Sequence, residues 1–181
     1  DPFQQLQRPA LLLSNGRLYI AFGSHGDIGS YHGWILAYDA AKLTRDWAFA
    51  TTPDASAGAV WQSGRGLASD DNGSVFAVTG NGDYDAVTDW SETALRLDAA
   101  SGAIKDWFTP SDWSSLNDAD LDFGSAGVIL VPGTPYMIAG GKEGNIYVID
   151  RSQLGHMEGL DASVIHKFSV ARLAKSKSIG H

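Results

Sequence analysis

Asp118, Asp120 and Asp122 alternate along the chain, and in an extended segment alternate side chains project to one side. Three like charges gathered in this way need a cation or open solvent. The run is not an EF-hand loop, because the turn glycine and the closing glutamate are missing from their places. Asn81, ahead of Gly82, and Asp27, inside Gly26-Asp27-Ile28-Gly29, offer further oxygens, although Asn and Asp beside glycine also serve as turn formers. Lys142 opens Lys142-Glu143-Gly144, which reads either as a cation held at a site or as a plain hairpin tip. His25 and His32 flank the Asp27 loop, where a histidine either meets a ligand or is solvated. The histidines lack regular metal spacing and the chain has no cysteine, so neither a zinc site nor a disulfide framework is indicated.

The elements that must position these residues are short and extended. Alternating apolar segments at 11–14, 18–22, 34–38, 46–50, 75–79, 94–97, 105–108, 128–131, 136–139, 146–149 and 166–170 predict strands, and helix is nearly absent. Turn residues separate them, as in Ser14-Asn15-Gly16 and Asp71-Asn72-Gly73. Three strands end alike, in Tyr38-Asp39, Leu97-Asp98 and Ile149-Asp150, with anchors 59 and 52 residues apart (98 − 39 and 150 − 98). Two of these anchors continue to a tryptophan, at Trp47 and Trp107. A β-sandwich has no reason to reuse one strand ending at such an interval, whereas propeller blades do. The expectation is an all-β fold, a β-propeller fragment of about three four-stranded blades at roughly 9–53, 60–110 and 120–170, with a flexible basic tail at 171–181. Three blades cannot close a ring, so the remaining blades are expected from elsewhere in a longer protein, with an internal start at Asp1. An isolated arc exposes faces that neighbouring blades should cover, which predicts self-association.

Composition narrows the function classes. Among 181 residues, 13 Lys and Arg stand against 21 Asp and Glu, and a net charge of −8 repels a phosphate backbone, so nucleic acid is not an expected partner. The longest apolar runs, such as 11–13 and 128–131, are far too short for a helical membrane span.

The strand ending Asp98-Ala99-Ala100-Ser101-Gly102, followed by Trp107, resembles the tryptophan-docking motif of the quinoprotein alcohol dehydrogenases, eight-bladed propellers that use pyrroloquinoline quinone (PQQ). Lys42-Leu43 replaces the Thr-Gly pair of that motif in the first copy, and the third copy lacks the tryptophan. Motifs of this type also occur in PQQ-like propellers that bind no quinone. Further segments resemble the enzymes in the same order. Gly23-Ser24-His25-Gly26-Asp27-Ile28-Gly29 resembles a calcium-binding loop, and Val78-Thr79-Gly80-Asn81 a strand end that supplies a second calcium oxygen. Asp120-Leu121-Asp122-Phe123 resembles the segment of the catalytic base, and Lys142 with Asn145-Ile146-Tyr147-Val148-Ile149-Asp150-Arg151 a segment whose cation touches the quinone.

The resemblance implies Asp122 as catalytic base, Asp27, Asn81 and Asp122 as calcium ligands, and Lys142, Ser24, Gly26 and Trp61 as cofactor contacts. Counting back from Asn81 places Gly64 where the enzymes have the indole beneath the quinone, and Trp61 is the nearest tryptophan. The adjacent-cysteine disulfide of many relatives is absent. With PQQ and Ca²⁺ the implied activity is oxidation of a small alcohol or sugar, the metal polarising a quinone carbonyl while Asp122 takes the hydroxyl proton. The alternative is a non-catalytic PQQ-like propeller that serves as a scaffold for protein or glycan. Either reading implies a periplasmic or extracellular setting.

Overall fold

The computed structural model of the chain describes residues 2–170, and the expected basic tail at 171–181 lies outside them. Three antiparallel sheets follow one another along the chain. The first holds β1 (Gln5–Leu6), β2 (Leu12–Ser14), β3 (Arg17–Ser24), β4 (Trp34–Asp39) and β5 (Arg45–Ala50). The second holds β6 (Ala68–Ser69), β7 (Ser74–Val78), β8 (Ala94–Asp98) and β9 (Ile104–Phe108). The third holds β10 (Val128–Leu130), β11 (Tyr136–Gly140), β12 (Asn145–Asp150) and β13 (His166–Ser169). Each is a four-stranded meander in chain order, and the short β1 adds to the far end of β3, opposite Gly23 and Ser24. These are propeller blades.

Period-2 alternation decides which residues fill the space between blades. On β7, Val75 and Ala77 join a core with Tyr19, Ala21, Ile35, Ala37 and Trp47 of the first blade. Phe76 and Val78, on the opposite side of β7, join Val128, Met137, Ala139, Tyr147 and Ile149 of the third. The middle blade is therefore covered on both faces, and all of β7 is buried. The end blades are covered on one face only. Phe22, Trp34 and Leu36 of the first remain half-exposed, and Ile129 and Phe168 of the third are exposed.

The repeated strand endings lock neighbouring blades. Asp39 Oδ1 accepts the N–H groups of Ala41 and Lys42, Asp98 Oδ1 those of Ala100 and Ser101, and Asp150 Oδ1 that of Ser152. Each is an aspartate turn that folds the chain back after its strand. Trp47 of the first blade donates Nε1–H to Ala99 O of the second, and a Cβ on Gly102 would stand 2.7 Å from its ring. Trp107 of the second blade instead stacks on His156 of the third, with ring centroids 3.8 Å apart.

The structure departs from the sequence reading between β9 and β10. A short helix, α1 (Trp113–Asp118), occupies that connection. Asp118 closes it, Asp120 has a left-handed backbone with φ 54°, and Asp122 caps a 3-10 turn at Phe123–Ser125. The three aspartates do not alternate along an extended segment. Burial of Leu116 in the core between the second and third blades holds the helix there, an anchor of one apolar residue that carries no periodic pattern.

Candidate active site

The residues singled out by sequence occupy matching places in successive blades. Ser24 ends β3, Asn81 follows β7 and Lys142 follows β11, so each lies just past the second strand of its blade's meander. Two crossings between blades supply the rest. Trp61 precedes the 3-10 turn Gln62–Gly64 on the way to β6, and Asp122 precedes Phe123–Ser125 on the way to β10. A glycine makes room for each. A Cβ on Gly23 would stand 2.6 Å from the Trp61 ring, and one on Gly80 would stand 2.1 Å from Asp122 Oδ1. The motif glycines before His25 and Asn81 are therefore seats for side chains arriving from the following crossing.

Asp122 is buried, at 2% exposure, and both of its oxygens have partners. Oδ1 accepts the Trp61 indole N–H at 3.1 Å and the Asn81 backbone N–H at 2.9 Å. Oδ2 lies 2.6 Å from Lys142 Nζ, which also reaches Asp120 Oδ1 at 2.9 Å. The backbone N–H of Lys142 donates to Asp122 O at 3.1 Å, so one lysine grips this aspartate by main chain and side chain together. Burial pulls the Lys142 ammonium down, but the carboxylates of Asp122 and Asp120 outweigh it and hold its pKa above the usual lysine range.

Asn81 spends its side-chain N–H on Asp120 Oδ1 at 2.9 Å, while its Oδ1 is buried without a partner. Asp27 lies on the exposed 24–33 loop, with a left-handed backbone, and its N–H donates to Ser24 Oγ. Its Oδ1 accepts the Tyr31 hydroxyl at 2.5 Å. Gly26 is at the exposed turn of the same loop. Tyr31 meets Trp61 edge to face at 6.4 Å, which links the Asp27 loop to the Asp122 cluster. Trp61 is only 4% exposed, and the Arg8 guanidinium lies 5.5 Å above its ring. Among the described residues no group of three His, Cys, Asp or Glu side chains is disposed to hold a metal ion.

Sequence reasoning missed Glu92. It is fully buried, its N–H donates to Gly80 O, and its Oε2 accepts the Phe123 N–H at 2.5 Å, so it ties the Gly80 seat to the Asp122 crossing. Its Oε1 is buried without a partner. Burial pushes its pKa up to about 8, against the pull of the Phe123 N–H and with a further push from Asp122. The only trace of this in the sequence is an acid two residues before the apolar strand β8, which a solvated turn would also show. Tyr31 and Arg8 carry no motif at all.

No family model matches the chain, and no curated protein matches it. Solved structures do. The quinohemoprotein alcohol dehydrogenase ADHIIG of Pseudomonas putida HK5 superposes with a TM-score of 0.66 at 18% identity over 92% of this chain. The quinohemoprotein alcohol dehydrogenase of Comamonas testosteroni gives 0.65 at 18% identity over 91%, and a europium-containing methanol dehydrogenase 0.65 at 16% over 92%. The chain spans 28%, 28% and 34% of those three proteins, respectively. At such identities the likeness is one of fold. With three meander blades, tryptophan joints between them and these neighbours, the chain is a partial β-propeller of the quinoprotein alcohol dehydrogenase-like fold.

Proposed function

We propose that this arc belongs to a propeller that works as a binding scaffold for protein or glycan, with its quinone position closed. The observation that supports this most is the state of Asp122. A general base must face its substrate, and here Oδ1 accepts two N–H groups, Oδ2 faces an ammonium and the residue is only 2% exposed. Calcium asks for six to eight oxygens, yet a lysine nitrogen stands 2.6 Å from the oxygen it would take and Asp27 is engaged by Tyr31. The donor set in this arrangement does not fit calcium. Trp61, buried and hydrogen-bonded to Asp122, does not offer an open face for a quinone ring either.

A second reading, a PQQ- and calcium-dependent dehydrogenase of alcohols or sugars, draws on one observation. The buried Asn81 Oδ1 has no partner, and an orphaned carbonyl oxygen is what a ligand or ion would satisfy. Titration of the protein with PQQ and Ca²⁺, followed by dye-linked oxidation of alcohols and sugars, separates the two. The scaffold reading expects no saturable quinone binding and no turnover. Turnover that disappears in Asp122→Ala would establish the dehydrogenase. The half-exposed apolar faces of the end blades support the same wider picture, in which further blades or a second copy cover them. A periplasmic or extracellular setting belongs to both readings, and no helix among the described residues is long and apolar enough to cross a membrane.

A further inference from the structure

Deepening the closed reading of the site, we infer that Lys142 is the resident cation of this propeller, an ammonium that takes over the charge of a metal ion and keeps metal out. Asp120 and Asp122 would be two carboxylates in contact with nothing positive, a costly arrangement for the buried Asp122. Lys142 Nζ touches both, at 2.9 and 2.6 Å, and its side chain is only 11% exposed. It is led there by the main chain. A Cβ on Gly141 would stand 2.5 Å from Asp122 O, so only glycine lets this backbone lie against Asp122 and return the next side chain to the carboxylate.

The two oxygens in contact with the ammonium, Asp122 Oδ2 and Asp120 Oδ1, are those a hard cation would choose. Asp122 Oδ2, Asp120 Oδ1 and the orphaned Asn81 Oδ1 belong to three residues already joined by hydrogen bonds, and Asn81 Nδ2 donates to the same Asp120 oxygen that Lys142 contacts. An ammonium supplies one charge and three donors, and here it spends two of them on the two carboxylates. A divalent or trivalent ion in its place would take the two carboxylate oxygens and complete its shell with water. Removal of Lys142 by substitution therefore turns a self-neutralised cluster into an oxygen-lined cation site beside Trp61.

The test uses the full chain with terbium as the probe, because Trp61, hydrogen-bonded to Asp122, is close enough to sensitise its emission. Wild type should give no Trp-sensitised emission that Asp122→Asn abolishes, and its Tm should be the same in chelator and in Ca²⁺. Lys142→Met should gain sensitised emission that Ca²⁺ competes away and that Asp122→Asn removes. A Lys142→Met protein that folds only with Ca²⁺ present also supports the inference. Site-specific terbium emission from wild type would overturn it, as would a Lys142→Met protein that shows none or stays unfolded in both conditions. Quinone binding by wild type without any divalent ion would sink the scaffold reading and leave this inference standing.

Discussion

Two crossings carry the chain from blade to blade; the second alone carries the helix α1, but they end alike. Each ends at a 3-10 turn, and each lays the side chain before that turn over a glycine of the preceding blade, Trp61 over Gly23 and Asp122 over Gly80. The first crossing delivers an indole and the second a carboxylate, and the two meet in the 3.1 Å hydrogen bond from Trp61 Nε1 to Asp122 Oδ1. The scaffold thus offers equivalent positions, and residue type alone makes one a packing group and the other a charge. Only the charge needs further support, which comes from Lys142, Asn81 and the buried Glu92 behind it.

If that comparison is right, filling the two glycine seats should not cost the same. Gly80→Ala would push a methyl into Asp122 Oδ1 and the Trp61 ring together, forcing a buried carboxylate away from its cation, with an expected loss of about 3–5 kcal/mol. Gly23→Ala meets only ring carbons and the Ala59 methyl, so overpacking at about 1–3 kcal/mol is expected. Urea titrations of both variants check the order.

Deleting the delivered groups sharpens the same contrast at smaller scale. Asp122→Ala leaves the Asn81 and Trp61 N–H groups without their acceptor and Lys142 paired with Asp120 alone, at about 3 kcal/mol. Trp61→Phe trims the indole to a phenyl ring and removes the hydrogen bond to the Asp122 carboxylate, at about 2 kcal/mol. Thermal melts of the two variants and the double variant give the coupling between the crossings directly.

The remaining effect concerns Glu92 and shows as a pH dependence. Its folded pKa of about 8 lies above the ordinary glutamate value of 4.5, so between those two values the folded chain holds a proton that the unfolded chain releases. Its contribution to stability is full below the unfolded value and is lost as pH rises through about 8. Glu92→Gln, which keeps an oxygen for the Phe123 N–H, should flatten this decline when unfolding free energy is measured across that window.

What the sequence disclosed follows the same division between scaffold and charge. Every predicted strand is present, because alternation and turn residues are local, and the Asp39, Asp98 and Asp150 turns announced the blade repeat before any pairing was known. The two-residue strands β1 and β6 were too short to show a period. At the site, Asp122, Lys142 and Asn81 were legible through motif order and Trp61 only as the tryptophan nearest the counted position, Gly64, and the structure joins all four by hydrogen bonds or ion pairs. The occupied state of Asp122 was not legible, since no spacing reveals that an ammonium 20 residues on (142 − 122) stands 2.6 Å from its Oδ2. Glu92 was hidden because burial depends on the crossing that covers it.

The most direct test of the closed site is a crystal structure of the protein grown with PQQ and Ca²⁺. The account predicts Lys142 Nζ within hydrogen-bond distance of Asp122 Oδ2, with no ion between them and no ring on Trp61. Oxygens of Asp27, Asn81 and Asp122 gathered at calcium-bonding distance around an ion, with the lysine turned away, would contradict it.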